Sequence, residues 1–189
     1  MDYNALRVYT APILDLTDNE LILLTTCMES RELKKGELVL TAGQICRAFY
    51  LVENGYLRTW YDKDGLPINL HFTFEGNFAS NLKSFRSRRP SDVNIEAGED
   101  SFVWIFNLQS SSEQFGDHPN IMRFIRRLAL DLLIASEEYS DLFKISTPTE
   151  RYHYIEKNNP RLLQRISLSQ MASYLGVTRE TLSRIRGKK

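Results

Sequence analysis

The sequence predicts an α+β protein with a β-rich N-terminal body, one long helix and a small helical domain at the C-terminal end. Three observations support this class. Short segments rich in β-branched and aromatic residues, separated by turn residues, fill the stretch from Gly36 to Leu108. Apolar residues then recur at helical spacing after Pro119. The last 22 residues contain two short amphipathic helical segments on either side of Gly176. These changes divide the chain into residues 1–116, 117–146 and 147–189.

The composition is that of an ordinary globular protein. With 189 residues, of which 42% are hydrophobic and 25% charged, the chain can bury a core without disulfide or metal staples. No apolar run approaches the roughly 20 residues that cross a bilayer. The N-terminus lacks a basic segment followed by an apolar one, so we expect neither a signal peptide nor a membrane span. Cys27 and Cys46 fit no metal or redox spacing, which favours free thiols and a cytoplasmic location.

Charge is distributed unevenly along the chain. Residues 144–189 carry 10 Lys and Arg against 3 Asp and Glu, which gives a net charge of +7. Residues 1–143 carry 14 against 21, which gives −7. A basic C-terminal domain on an acidic body is typical of a protein that meets phosphate groups.

The N-terminal body begins with a short helix and continues with strands. We expect Asp18 to cap the helix, which would extend to about Arg31. The predicted strands cover residues 38–40, 49–52, 56–61, 68–74 and 102–106. The pairs Asn54-Gly55 and Asp64-Gly65 are typical of tight hairpins, because the central residues of such turns need positive φ. Short antiparallel strands at this spacing favour a sandwich or a barrel.

A helix of about 24 residues, some 36 Å long, is expected after Pro119. Other apolar residues, such as Leu133, widen its apolar band, so we expect the helix to contact both its own β-domain and a second subunit. A wholly intramolecular helix is the alternative, and the sequence does not decide which stripe would face a partner. The main apolar residues alternate at intervals of four and three, which is the pattern of a dimer seam: Ile121, Ile125, Leu128, Leu132, Ala135, Tyr139 and Leu142.

The C-terminal segment has the features of a helix-turn-helix. Ser167 or Ser169 can cap the first helix, Gly176 suits a left-handed exit from it, and Thr178 can cap the second helix. Arginine reads guanine and glutamate accepts from cytosine in the major groove. A plain helical hairpin with a charged outer face is the alternative. The residues expected on that outer face are Arg179, Glu180, Ser183 and Arg184.

The three regions together resemble the Crp/Fnr family of transcription regulators, most specifically over Ser169–Ile185. The resemblance implies an N-terminal double-stranded β-helix (a jelly-roll-like β-roll of the cyclic-nucleotide-binding type), a long dimerisation helix and a C-terminal helix-turn-helix domain. It implies a homodimer that regulates transcription from a palindromic operator with TGTGA-like half-sites. Because few residues follow the second helix, a wing is expected to be minimal or absent. By the family match, Arg179, Glu180 and Arg184 would read bases, and Ser169, Gln170, Thr178 and Ser183 would lie near phosphates.

The resemblance also locates an effector pocket. Family members that bind cyclic AMP hold its ribose with a Gly-Glu pair and its phosphate with an Arg-Ser pair. Ser80-Asn81 and Pro90-Ser91 stand at those places, so the carboxylate and the guanidinium are absent and we expect no tight binding of cyclic AMP or cyclic GMP. The basic run 86–89 is either a solvated loop or a site for another anion. A pocket for an unidentified effector would involve Gly76, Asn77, Phe78, Ser80, Asn81, Leu82, Arg88, Arg89, Pro90, Ser91 and Ser136.

No catalytic set, metal site or cofactor is predicted. A cupin-type enzyme is the rival from another class, but the strand region contains one histidine, His71, and such enzymes need two or three. The predicted partners are double-stranded DNA, a second copy of the chain, RNA polymerase and an unknown small effector, and no membrane. A dimeric effector-binding sensor without a direct role on DNA is the second alternative.

Overall fold

The computed structural model describes residues 3–108, 115 and 118–187. Its helices are α1 (Tyr3–Thr10), α2 (Asp18–Thr25), α3 (Leu82–Ser87), α4 (Pro119–Ile145), α5 (Pro148–Asn158), α6 (Pro160–Arg165), α7 (Leu168–Leu175) and α8 (Arg179–Arg186). Its strands are β1 (Met28–Leu33), β2 (Leu38–Leu40), β3 (Phe49–Asn54), β4 (Tyr56–Lys63), β5 (Leu66–Phe74), β6 (Phe78–Ala79), β7 (Asn94–Ala97) and β8 (Ser101–Phe106). This architecture confirms the predicted β-roll followed by a long helix and small C-terminal helices.

The roll consists of two four-stranded antiparallel sheets. One has the order β1-β8-β3-β6 and the other the order β2-β7-β4-β5. Successive side chains of a strand point to opposite faces of its sheet, so each strand can contribute residues to the space between the sheets. Val52, Leu57, Ile95 and Val103 are fully buried in the core between the sheets.

A second core lies on the outer face of the first sheet. Phe49 and Leu51 of β3 and Phe106 of β8 pack there against α1, α2 and α4. Leu21 from α2 and Phe124 from α4 are fully buried in this layer. The first part of the long helix is therefore a structural element of the roll.

The prediction for the first helical segment was wrong beyond residue 25. Thr17 rather than Asp18 caps α2, through a capping box with Glu20. The hydroxyls of the two threonines that follow Leu24, at positions 25 and 26, bond back to carbonyls of the last turn and satisfy the helix end. Residues 28–33 then form an edge strand, because β8 offers them a full antiparallel ladder from Met28 to Leu33.

The two predicted hairpin turns have different roles. Asp64 and Gly65 both adopt positive φ and join β4 to β5 in a tight hairpin, as predicted. Gly55 also has positive φ, but β3 and β4 belong to different sheets, so the Asn54-Gly55 pair turns a corner between the layers. A Cβ at Gly55 would lie 2.2 Å from Oγ of Ser101, so this corner requires glycine.

The long helix connects the roll to the C-terminal domain, and only two residues separate its end from the start of α5. It spans 27 residues, and Thr147 caps α5 two residues after its end through a capping box with Glu150. The Arg151 guanidinium donates to the Ser146 carbonyl at 2.8 Å and lies 4.4 Å from the ring centre of Phe143. The joint between α4 and α5 is thus held by packed contacts on both sides. Residues 116 and 117, where the first predicted region ends and the second begins, lie outside the described residues.

Candidate nucleic-acid interface

Capping interactions set where the two helices of the helix-turn-helix begin and where the first one ends. The Ser167 hydroxyl accepts from the Gln170 backbone N–H at 3.2 Å, and Oε1 of Gln170 accepts from the Ser167 N–H at 3.0 Å. Gly176 ends α7 with φ of 66°, and the Thr178 hydroxyl accepts from the Thr181 N–H at 3.2 Å to start α8. The predicted left-handed exit at Gly176 and the cap at Thr178 are confirmed, and of the two serines considered for the first cap, Ser167 is used.

The two helices cross over a small apolar core. Ala172 on α7 and Leu182 on α8 are buried in it, and Val177 packs against it from the turn between them. A Cβ at Gly176 would approach a carbon of the Phe143 ring within 3.0 Å, so the turn also sits close to the end of α4. This packing fixes the relative orientation of α7 and α8.

The outward face of α8 is polar and open. Arg179, Glu180, Ser183 and Arg184 are all exposed, and one guanidinium nitrogen of Arg184 donates to the Thr181 hydroxyl at 3.3 Å. The backbone N–H of Glu180 at the helix start bonds its carboxylate and lowers the pKa of that group, so it is ionised near neutral pH. This face presents two guanidinium groups and one carboxylate, the groups that discriminate base edges in the major groove.

The residues expected near phosphates differ in availability. Ser169 and Ser183 are exposed, whereas the side chains of Gln170 and Thr178 are already used by the caps. The Gln170 backbone N–H is also used, since it donates to the Ser167 hydroxyl. The base and phosphate roles of these residues stay predictions.

The cassette expected to hold an effector is closed by its own side chains. Asn81, which caps α3, accepts from the Ser84 N–H at 3.1 Å and donates to the Ser91 hydroxyl at 2.8 Å and to Asp92 at 3.3 Å. Ser91 in turn donates to the Val93 carbonyl and accepts from the Val93 N–H. Asn81 and Ser91 are buried, so their polar groups meet protein rather than a ligand.

Three residues of this cluster were not anticipated. Ser84 is buried, accepts from the Cys46 N–H at 2.9 Å and donates to the Arg89 carbonyl at 2.6 Å. Lys83 forms an exposed ion pair of 2.6 Å with Asp92, and this hydrogen bond lowers the pKa of the aspartate. The sequence contained a sign of this cap, since asparagine is among the preferred N-cap residues and accepts from a backbone N–H two or three positions on, here that of Ser84.

The remaining predicted pocket residues are dispersed. Phe78 points into the core beneath α4, where its ring contacts Phe106 and Phe124, and Leu82 packs against the same core. Ser80 donates to the Ala48 carbonyl at 2.9 Å. Gly76, Asn77, Arg89 and Pro90 are exposed, Arg88 is exposed with φ of 55° at the end of α3, and Ser136 is half-buried on α4 outside the Asn81 cluster.

The predicted dimer seam is divided between two environments. Ile121 and Leu128 are buried in the core of the roll, Leu142 is buried further along, and Ile125 and Leu132 pack against the core of the roll. Tyr139 contacts the C-terminal domain, and Ala135 is exposed. Three residues of the seam are thus buried within the chain, the other four keep exposed surface, and their role in a dimer stays a prediction. The large apolar residues left exposed on this helix form another stripe, which we call the α4 stripe: Leu130, Leu133 and Ile134, with 55%, 48% and 51% of their surface exposed.

No helix within the described ranges has the length and apolar character that a membrane span needs. Among these residues, no group of three or more metal-binding side chains comes together. His71 is isolated beside Tyr139, and burial lowers its pKa.

Comparison with known proteins found one matching family model and several similar solved structures. Residues 30–118 match the family model of the cyclic nucleotide-binding domain. FixK2 from Bradyrhizobium japonicum has a similar structure, with a TM-score of 0.72 at 21% identity over 85% of this chain and 83% of that one. A Crp/Fnr-family transcriptional regulator from Eubacterium rectale aligns with a TM-score of 0.69 at 20% identity, over 92% and 83% of the two chains.

A third similar structure is the c-di-GMP-responsive global regulator CLP of Xanthomonas campestris. It aligns with a TM-score of 0.70 at 16% identity, over 91% of both chains. No curated protein sequence gives a significant match. At these identities the structural likeness establishes a shared fold, and it spans the roll, the long helix and the C-terminal domain.

Proposed function

We propose that this chain, which contains a cyclic nucleotide-binding domain and has the fold of the Crp/Fnr transcription regulators, is a sequence-specific DNA-binding regulator. The observation that carries the proposal is the outward face of α8. Arg179, Glu180 and Arg184 are exposed together on one short helix, which is capped and packed in the geometry of a recognition helix. Bidentate arginine contacts to guanine and a carboxylate contact to cytosine are the chemistry this face offers.

Electrostatics support the same surface. Residues 144–189 carry a net charge of +7, and residues 1–143 carry −7. A duplex is attracted to the first and repelled by the second, so the charge distribution orients the molecule with its C-terminal domain toward DNA. The DNA contact should therefore weaken steeply as salt concentration rises.

The regulator is proposed to act as a homodimer on a palindromic operator. The α4 stripe offers a second copy three large apolar side chains in register along one helix face. For both copies to bind one operator, packing against the symmetry mate must place the two recognition helices about 34 Å apart, the spacing of successive major grooves. A cytoplasmic location and contact with RNA polymerase follow from the proposed activity.

The roll is proposed to work without a bound cyclic nucleotide. The Asn81 amide donates to the Ser91 hydroxyl, that hydroxyl donates to the Val93 carbonyl, and Lys83 pairs with Asp92. A cyclic phosphate entering here would have to break these bonds, and none of them offers it a guanidinium in exchange. A different effector, bound elsewhere in the roll, remains compatible with the proposal.

The proposal is tested by fluorescence anisotropy with a labelled palindrome of two TGTGA half-sites and a scrambled duplex of the same composition. The expected result is tighter binding to the palindrome by about three orders of magnitude, in the range typical of specific regulators. Cyclic AMP and cyclic GMP should leave both curves unchanged. Equal affinity for the two duplexes at every salt concentration would contradict sequence-specific binding.

A dimeric sensor that does not act on DNA is the competing function. It predicts no salt-dependent binding to either duplex, although the chain would still dimerise. The arginine face of α8 would then have no partner, and replacing Arg184 by Ala would change no measured property except net charge.

A further inference from the structure

The helix-turn-helix does not extend freely from the long helix but is docked on the roll of the same chain. Strand β5 and helix α7 face each other directly. The Asn69 N–H donates to the Ser173 hydroxyl at 3.0 Å, and that hydroxyl donates to the Pro67 carbonyl at 3.0 Å. The Asn69 amide also donates to the Gln170 carbonyl at 3.3 Å. One edge of the roll is thereby hydrogen-bonded to the first helix of the DNA-binding motif.

Arg165, the last residue of α6, clamps the two parts together. Its guanidinium donates to the Glu75 carboxylate at 2.7 Å and to the Glu99 carboxylate, both of which belong to the roll. It also lies 5.0 and 5.5 Å from the ring centres of Phe74 and Tyr56. A guanidinium held by two carboxylates over aromatic faces has a fixed position, unlike a solvated surface arginine. Only 25% of its side-chain surface is exposed, so solvent screens the clamp incompletely.

Aromatic packing completes the contact. The Tyr139 hydroxyl donates to the Tyr174 carbonyl, and the two rings stack with their centres 4.6 Å apart. Tyr174 also meets Phe72 of β5 edge-on at 5.3 Å. The long helix, the roll and α7 therefore share one apolar cluster, in which Tyr56 and Phe74 are also buried.

The docked face of α7 is not the face that would meet DNA. The Ser173 hydroxyl and the backbone carbonyl of Gln170 meet the roll, whereas Ala172 and Leu175 face the core shared with α8. The outward residues of α8, from Arg179 to Arg184, remain exposed while the domain is docked. The contact thus leaves the recognition surface open and restricts only its orientation.

We propose that the clamp between Arg165 and the roll carboxylates Glu75 and Glu99 holds the helix-turn-helix in its DNA-competent orientation. Arg165 is in this sense a positioning residue for DNA recognition. The inference rests on the proposed function, since it assigns a role in DNA binding to residues that do not face the DNA. A domain freed from the clamp samples many orientations, and the apparent affinity for operator falls by the fraction that remains competent.

The first test is the Arg165→Gln variant in the full-length protein, measured by anisotropy on the palindrome. We expect the Kd to rise about tenfold, which corresponds to a competent fraction of about one tenth. The salt dependence should keep its slope, because a lost phosphate contact would reduce that slope by about one and a lost positioning contact would not. Arg161→Gln is the matched control, since it removes the same charge from an exposed position on α6.

Replacing one of the clamp carboxylates gives a test in which the clamp and net charge predict opposite changes in DNA affinity. Glu75→Gln makes the chain less negative, so electrostatics alone would strengthen DNA binding. The clamp predicts weaker binding, and it predicts that Glu75→Gln adds little to Arg165→Gln in a double-mutant cycle. Should Arg165→Gln fail to fold, Glu75→Gln and Glu99→Gln carry the test.

Hydrogen exchange provides a readout that needs no DNA. In Arg165→Gln, the peptides covering 66–74 and 167–176 should exchange faster, because the docked pair loses its clamp. If Arg165→Gln changes neither the exchange rates nor the Kd for the palindrome, the inference is overturned. A lower Kd in this variant would also overturn it, because it would show that the contact inhibits DNA binding. If the unmodified protein binds neither duplex, the proposed function itself fails, which separates that outcome from failure of the clamp alone.

Discussion

Replacing Asn81 by Ala tests whether the cassette of the roll is a closed structural cluster. Asn81 caps α3 and connects it to the chain beyond the basic loop through Ser91 and Asp92. Only 8% of its surface is exposed. The variant removes one acceptor and two donor interactions from a site that water cannot easily refill.

The expected loss of unfolding free energy follows from these contacts. Removal of an N-cap side chain costs about 1 kcal/mol. Each lost internal hydrogen bond costs a further ~0.5–1.5 kcal/mol, and Ser84, whose N–H loses its acceptor, is buried. The Ser84 N–H bond is the cap itself, so the total is about 1.5–2.5 kcal/mol from the cap and the bond to Ser91, and the weaker contact to Asp92 at 3.3 Å adds little.

Urea unfolding followed by circular dichroism measures this loss. Asn77→Ala is the matched control, because Asn77 is exposed and its side chain donates to the nearby Glu75 carbonyl rather than across the cassette. We expect the control to lie within about 0.5 kcal/mol of the unmodified protein, as is usual for surface positions. A loss below 1 kcal/mol in Asn81→Ala, or a midpoint raised by cyclic AMP, would refute the closed cluster, since an open pocket would hold Asn81 in water or against a ligand.

Three further predictions concern association, base recognition and pH. Leu133→Lys should shift the chain from dimer to monomer in analytical ultracentrifugation, because it places a charge in the α4 stripe, whereas Leu66→Lys, at an exposed hairpin position, should not. Arg184→Ala should weaken operator binding by about 1–3 kcal/mol and relax the preference at one base pair, measured with single-substitution duplexes. The hydrogen bond from Arg165 lowers the pKa of Glu75 in the folded protein. The ionised Glu75 therefore stabilises the fold fully above pH 4.5, its ordinary pKa, and this stabilisation is lost as pH falls through the lowered pKa of the folded state. Unfolding free energy should therefore fall more steeply below pH 4.5 in the unmodified protein than in Glu75→Gln.

Each of these has a contradicting result. An unchanged mass for Leu133→Lys would move the dimer contact away from the α4 stripe. A uniform loss of affinity on every duplex would make Arg184 a phosphate contact rather than a base contact. Parallel pH curves for the unmodified protein and Glu75→Gln would mean that the carboxylate gains nothing from its partner.

Local patterns carried most of the information about secondary structure. The caps at Thr178 and the exit at Gly176 could be predicted because each depends on one residue and its immediate neighbours. The strand at 28–33 could not, since four of its six residues are exposed at a sheet edge and show no alternating pattern. Its structure depends on pairing with β8, about 70 residues away along the chain.

The long helix shows a different limit of sequence interpretation. Its four-three spacing correctly indicates an apolar stripe, but spacing does not distinguish the core of the same chain from a second subunit. Ile121 and Leu128 are used by the roll, and the residues left for a partner, Leu130 and Ile134, belong to the stripe outside the seam. Likewise, Arg165 resembled any basic surface residue, because Glu75 and Glu99 come to it only through the fold.

The closed cassette and the clamped domain lead to a joint expectation about control. A ligand shifts an equilibrium only by its differential affinity for the two states. Because the polar groups of Asn81 and Ser91 are already bonded within the protein, a cyclic nucleotide should have little affinity for either state. If Arg165 already holds the DNA-binding domain in place, little reorientation is left for a ligand to drive. Operator occupancy should then follow protein concentration through dimerisation, and titrations of the palindrome with and without saturating cyclic AMP should superimpose. A nucleotide-dependent Kd in the unmodified protein, lost in Asn81→Ala, would show instead that the cluster opens and that the roll still gates DNA binding.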